Sequence, residues 1–177
     1  MKGSGDAEWK LLTDLIESRF GLSFTGVRRD ILAARLSARF EALRCGNPLE
    51  YYQHLTAHPE RDRELGQLAL TLTNNETYFF REQHHFEIIA QQVIGDQRAT
   101  LRTRPLRVLS AGCSSGEEPY SLVITLQRHG AEALLPHGWE IDACDLNPAR
   151  LAQARSASYE PGALRSCDAE TRGRHFR

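Results

Sequence analysis

The sequence has only four cysteines, Cys45, Cys113, Cys144 and Cys167, far apart and with no C-x-x-C among them. That spacing builds neither a zinc knuckle nor a disulfide framework and fits a reducing compartment. An excess of charge of one sign is also missing: the formal net charge is −1, which removes the global electrostatic case for nucleic acid or an acidic membrane. No apolar run approaches bilayer length, and the polar start MKGSGDAEW lacks the apolar core of a secretory signal. A cytoplasmic protein that does not insert into membranes is therefore expected. There is no repeat, no low-complexity tract, no H-E-x-x-H and no Cys/His ligand spacing, so no metal site is expected, and His84 and His85 read as surface residues. What remains is 177 residues, 41% hydrophobic and 25% charged, enough for one globular domain or a small one joined to part of another.

Up to about Thr73 the chain reads as helices. WKLLTDLIESRF sets Leu11, Leu12, Leu15 and Ile16 at helical spacing, and Gly21 is placed to end that helix. GVRRDILAARLSARFEALRCGN repeats the pattern with Leu32, Leu36, Phe40 and Leu43, and PLEYYQHLTA and ERDRELGQLALTL follow as shorter helices on either side of Pro59. Nothing before residue 100 alternates as a strand does. After Pro105 the character changes. LRVLSA is a short apolar run ending in a glycine loop, EEPYSLVITLQRHG returns to helical spacing, WEIDAC is a second strand closed by Asp145, and NPARLAQARSA is a helix with Pro148 in its first turn. Strand, glycine turn, helix, strand opens a doubly wound α/β sheet. The expected organisation is a helical domain over 1–73, a loop and connecting helix over 74–95, and the first part of a Rossmann-like domain over 96–177.

The glycine loop admits two chemistries. Gly112-Cys113-Ser114-Ser115-Gly116 fits G-x-S-x-G, the nucleophile elbow of a serine hydrolase, with Ser114 as nucleophile and Asp145 and His175 in the required chain order. Against this, an elbow follows several strands, whereas everything upstream here reads as helical. The alternative is a cofactor loop. The dinucleotide fingerprint G-x-G-x-x-G is absent, and the loop runs straight into Glu117 and Glu118. Those carboxylates suit a helix N-terminus but would repel a diphosphate seeking the same amides. A positively charged ligand without phosphate fits better, and S-adenosylmethionine is one, with a ribose that Asp145 could hold at the end of the second strand. Ser115 and Glu118 could equally form a plain capping box, with Asp145 only starting the next turn.

AGCSSGEEPYSL and TNNETYFFRE, followed by HHFEII and IDACDLNPARLAQARSASY, resemble the signature blocks of the CheR-type chemotaxis receptor methyltransferases. The resemblance runs from the basic N-terminal helix to about Phe176. It implies an N-terminal helical domain, a Rossmann-like methyltransferase domain, S-adenosylmethionine as cofactor with S-adenosylhomocysteine as product, and methyl transfer to glutamate side chains in the cytoplasmic helical region of chemoreceptors. Residue by residue, it implies that Asn75, Thr77 and Arg81 form a cofactor-contacting loop; Arg81 is expected to be the catalytic residue, holding a carboxylate close to the reaction, whether the cofactor's own or the substrate's. Glu118 with Glu117 beside it, after Gly112, would contact the cofactor, and Asp145 would hold its ribose. The family's later asparagine-leucine pair and its C-R-N-V-L-I-Y-F-like strand have no match, so an incomplete methyltransferase domain is expected.

At about 100° per residue, Arg28, Arg35 and Arg39 fall in one stripe beside the apolar face of their helix. By composition this is a solvated face whose arginine stems cover the core edge. The resemblance implies instead a docking stripe for acidic receptor helices. Three further functions stay open on the residues: a non-catalytic docking fragment, a methyltransferase of small molecules, and the Ser114 hydrolase.

Overall fold

The computed structural model describes the chain apart from residues 1, 27, 74–75 and 132–134, and apart from the side chains of 2–4 and 98. It forms two compact units, Met1–Asn74 and Asn75–Arg177.

The first unit is four helices: α1 Lys2–Phe20, α2 Arg28–Leu43, α3 Pro48–Ala57 and α4 Arg61–Leu72. The apolar stripes read from the sequence meet in one core of Leu12, Ile16, Leu32, Leu36, Tyr51, Leu55, Leu68 and Leu72. Each fully buried aliphatic side chain there contributes about 1.5–3 kcal/mol. Leu11, expected in that stripe, is 44% exposed, because it sits one helical step off the line through Leu12 and Ile16. Gly21 ends α1 with φ +68, its N–H returning to Glu17 O at 2.9 Å. The start of α3 is fixed by reciprocal bonds. Asn47 accepts from Glu50 N (2.9 Å) while the Glu50 carboxylate takes Gly46 N (2.7 Å).

In the second unit, α5 Gln83–Ile88 passes through a π-turn, Ile89–Val93, into the short helices α6 Ile94–Asp96 and α7 Arg98–Leu101. Then come β1 Leu106–Ala111, α8 Glu117–Arg128, β2 Trp139–Cys144, α9 Pro148–Ser156, a 3-10 turn Pro161–Leu164 and α10 Ala169–His175. The strands pair in parallel from Leu106↔Trp139 to Ala111↔Cys144. That register gives the two-stranded sheet two unlike faces. Leu106, Val108, Trp139 and Ile141 pack into the core with Phe79, Phe80, Phe86, Leu122, Ile124 and Leu126. The other face carries Leu109, 64% exposed, and Arg107, which pairs with Glu140 at 3.0 Å and Asp142 at 3.6 Å. The 3-10 turn and α10 were not legible as periodic segments. Their readable signals are Pro161 and the cap Asp168, which accepts Thr171 N at 2.7 Å.

Candidate functional site: a glycine loop faced by carboxylates

The loop after β1 is built almost entirely from its own backbone. Gly112 N and Cys113 N both donate to Cys144 O, at 2.8 and 3.0 Å, and Gly116 N donates to Cys113 O at 2.9 Å. Ser114 N donates to Asp145 Oδ2 at 2.8 Å. The turn needs left-handed backbone at Gly112 (φ +83) and Gly116 (φ +95), which glycine adopts without steric cost. The two glycines differ in surroundings. A Cβ on Gly112 would meet nothing within 4 Å, whereas one on Gly116 would lie 2.9 Å from Ala154 Cβ and 2.9 Å from Tyr159 Oη. The tight approach is therefore at Gly116, and Gly112 faces open space.

The carboxylates divide by one helical step. Glu118 is exposed and accepts the Ser110 hydroxyl at 2.5 Å. Glu117 is 3% exposed and accepts the Ser115 hydroxyl at 2.8 and 3.0 Å. Glu117 is thus turned into the protein while Glu118 faces outward, because adjacent residues point about 100° apart on a helix. Of the two readings of Ser115 and Glu118, the plain capping box does not form, since Ser115 bonds Glu117 instead. Asp145, half-buried beyond β2, accepts Ser114 N on one oxygen and Asn147 N on the other, both at 2.8 Å. A carboxylate has about four acceptor sites, so each oxygen keeps room for a further donor.

The second loop reaches the same place. Phe80 N donates to Ser121 Oγ at 2.8 Å, and Ser121 Oγ donates to Glu117 O at 2.6 Å, which fastens the loop to the first turns of α8. Phe79 N donates to Ala163 O at 2.9 Å. Arg81 lies between two non-glycine residues in left-handed backbone, Phe80 (φ 59) and Glu82 (φ 56), a local strain of the kind that collects at functional sites. Its exposed guanidinium folds back to Glu76 O at 2.7 Å, which uses one of five N–H donors. Thr77 is half-buried between Glu76 and Tyr78. Asn75 lies outside the described residues.

Ser114 has the left-handed backbone of an elbow (φ 48), but its hydroxyl is buried with no hydrogen-bond partner. Asp145 bonds the Ser114 amide and not a histidine. The hydrolase chemistry is therefore not assembled. Among the described residues no group of three or more His, Cys, Asp or Glu could hold a metal ion.

On α2, Arg28 is exposed, while Arg35 donates to Leu72 O at 3.0 Å. Arg39 forks onto buried Glu64, with Nε 2.9 Å from Oε1 and a second, shorter bond to Oε2, and Tyr51 Oη donates to the same carboxylate at 2.7 Å. Burial and then the bond to Glu64 push the Tyr51 phenol well above its ordinary pKa. Arg39 is thus part of the helical core's polar lock, which corrects its place in a free docking stripe. Residues the sequence did not single out for the site are Ser110, Ser121, Tyr159 and Arg165. Ser110 alone left a trace, as a hydroxyl at an inward position of an apolar strand.

A parallel strand pair, an open glycine turn entering a helix, acids in that helix's first turn and an acid just after the second strand are the features of a Rossmann-like domain. Comparison with known families agrees: residues 75–177 match the CheR methyltransferase, SAM binding domain, and residues 7–73 match the CheR methyltransferase, all-alpha domain. The chain belongs to the CheR methyltransferase family, and its cofactor is S-adenosylmethionine. It is 34% identical over 171 residues to the chemotaxis protein methyltransferase of Salmonella typhimurium, covering 97% of this chain and 56% of that protein. It is 38% identical over 161 residues to chemotaxis protein methyltransferase 2 of Pseudomonas aeruginosa, covering 88% and 53%. A probable biofilm formation methyltransferase, WspC, of Pseudomonas aeruginosa is 30% identical over 162 residues, covering 92% and 37%. The chain spans about half the length of the first two of these relatives. No helix among the described residues is long and apolar enough to cross a membrane.

Proposed function

We infer that the protein transfers the methyl group of S-adenosylmethionine to glutamate side chains in the cytoplasmic helical region of chemoreceptors, giving glutamate methyl esters. The observation that carries the cofactor side is how the glycine loop uses its amides. The N–H groups of Gly112, Cys113, Ser114 and Gly116 are all taken by protein acceptors. A phosphate-cradling loop presents those groups to the ligand; this one presents Glu118 and Asp145. Open space at Gly112 and two carboxylates suit a cationic ligand with ribose hydroxyls.

In this reading Asp145 takes ribose hydroxyls on its remaining acceptor sites. Glu118, with Gly112 and Thr77, lines the rest of the cofactor, and Glu117 acts from within as fixed negative charge. Bound S-adenosylmethionine supplies a methyl group on a sulfonium, already activated as an electrophile. The protein then needs no general base, because a glutamate of ordinary pKa near 4.3 is ionised at neutral pH. Its task is alignment of carboxylate oxygen, methyl carbon and sulfur, worth roughly 7–11 kcal/mol in favourable cases. Arg81, with guanidinium donors to spare, holds a carboxylate beside the reaction, either the cofactor's own or the substrate's. Arg28 and Arg35 remain the candidates on α2 for meeting an acidic receptor helix. The name of the WspC relative makes methyl transfer in biofilm formation, rather than in chemotaxis, the second reading.

Asp145→Ala should weaken S-adenosylhomocysteine binding at least tenfold by calorimetry, since a hydrogen bond to a charged group contributes about 1.5–3 kcal/mol. Unchanged affinity would remove Asp145 from the cofactor site. Transfer of labelled methyl to receptor fragments, with base-labile product, tests the glutamate ester itself.

A further inference from the structure

The two loops that carry the inferred cofactor contacts, residues 76–81 and 112–118, are linked through Ser121 at the start of α8 and through a second side chain that belongs to neither. Tyr159 follows α9, and its hydroxyl donates to Ser115 O at 2.8 Å. The same hydroxyl lies where a Cβ on Gly116 would sit only 2.9 Å away, so the phenol rests directly against the backbone of the glycine loop. Its ring meets Phe79 edge-on, with centroids 4.8 Å apart and planes at 85°. Phe79 is also pinned by its amide on Ala163 O, 2.9 Å, and by the Phe176 ring, 4.7 Å between centroids. Farther along the same segment, the Arg165 guanidinium carbon lies 3.6 Å from the Tyr78 ring centroid, and Arg165 pairs with Glu76 at 3.1 Å. Thr77 is therefore flanked on both sides by residues that Arg165 holds. Burial first, and then the negative charge of Glu117, raises the Tyr159 phenol well above its ordinary pKa, which keeps it a donor at neutral pH.

We propose that Tyr159 is a positioning residue for cofactor binding: its hydroxyl sets the Ser115–Gly116 end of the glycine loop, and its ring sets Phe79, so that both halves of the site share one geometry before ligand arrives. This rests on the S-adenosylmethionine reading of the site. Tyr159 acts through Ser115 and Phe79. Preorganisation of this kind shows as affinity, because a loop already ordered loses less freedom on binding.

The molecule supplies its own control. Tyr120 Oη donates to Ala154 O at 3.1 Å, another tyrosine-to-carbonyl bond, this one between α8 and α9; its ring meets Tyr159 edge-on with centroids 6.3 Å apart, a contact that Tyr120→Phe keeps while removing only the hydroxyl. Tyr159→Phe and Tyr120→Phe are compared by S-adenosylhomocysteine calorimetry and by amide hydrogen exchange of the ligand-free protein, well below the melting temperature. Tyr159→Phe should lower affinity about five- to tenfold, and exchange at Phe79–Arg81 and at Cys113–Gly116 should rise together. Tyr120→Phe should lower Tm yet leave affinity and both loops' exchange at wild-type values. Unchanged affinity in Tyr159→Phe, faster exchange confined to one loop, or an equal affinity loss in Tyr120→Phe would each overturn the proposal. A wild-type protein that bound no S-adenosylhomocysteine would sink the cofactor reading, and the exchange measurement would still decide whether Tyr159 couples the loops.

Discussion

Glu64 in the helical unit and Glu117 in the α/β unit are equally sealed from water, 4% and 3% exposed, and the two units treat them oppositely. Glu64 receives the two-pronged Arg39 guanidinium and the Tyr51 hydroxyl, so its charge and its acceptor sites are matched by protein. Glu117 receives the neutral Ser115 hydroxyl, and no ion pair reaches it among the described residues. Its remaining support is the N-terminus of α8. A buried charge with a countercharge is a device of the fold. A buried charge without one leaves negative potential at the place where a cationic ligand is inferred to sit, joined there by Glu118 and Asp145. The difference lets structure sort acids that the sequence shows only as letters.

The largest effect should come from breaking the matched acid. Arg39→Met leaves the Glu64 carboxylate buried without its cation, and removal of one partner from a buried pair costs about 3–5 kcal/mol. Arg39 is partly exposed, 23% at the side chain, so the low end, about 3 kcal/mol, is expected in urea unfolding followed by circular dichroism. Adding Glu64→Leu should recover much of the loss. A single-variant loss below about 1 kcal/mol would show that Glu64 does not depend on Arg39, and would return Arg39 to the docking surface.

The reverse experiment is Glu117→Gln, which keeps an acceptor for Ser115 and removes only the charge. Relieving an uncompensated buried charge should leave stability within about 1 kcal/mol of wild type, or raise it. The functional reading should move instead. S-adenosylmethionine carries a sulfonium that S-adenosylhomocysteine lacks, so affinity for the former should fall more than for the latter. Equal losses for both ligands would remove Glu117 from the site's electrostatics, and a strong loss of stability would make it a fold device like Glu64.

Much of the fold could be read in the sequence, and the reasons for the exceptions are physical. The four helices of the first unit and both strands follow from period and punctuation: Gly21, Asn47-Pro48, Pro59, the glycine turn and Asn147-Pro148. Periodicity fixes a stripe but not which flank of it meets a neighbour, so Arg39 read as a solvated arginine by composition and as a docking cation by the family resemblance, and neither reading could place it against Glu64, 25 residues on. A helix start uncertain by one residue rotates the outcome by about 100°, and that single step separates inward Glu117 from outward Glu118. The glycine loop's chemistry was narrowed correctly by its neighbours, two glutamates against phosphate. Tyr159 and Arg165 could not be reached, because their roles depend on contacts 44 and 89 residues distant in the chain.

The smallest effect should come from the residue that first made this loop ambiguous. Ser114 stands in left-handed backbone with a buried hydroxyl that has no hydrogen-bond partner, so its Oγ contributes no bond to lose. Its amide, which does hold Asp145, survives any side-chain change. Ser114→Ala removes an unsatisfied buried polar atom while keeping the Cβ, and such a change is near neutral, within about 0.5 kcal/mol either way. S-adenosylhomocysteine affinity should stay at the wild-type value, and a fluorophosphonate probe should label neither protein. If the probe labelled wild type and not Ser114→Ala, the loop would be a nucleophile elbow after all, and the carboxylates around it would need a different explanation. If Ser114→Ala bound cofactor less well while remaining as stable, the orphaned hydroxyl would be turned toward ligand in the bound state. The contrast with Glu117 would then extend from charge to hydrogen bonding, with both groups left without a strong protein partner because the ligand supplies it.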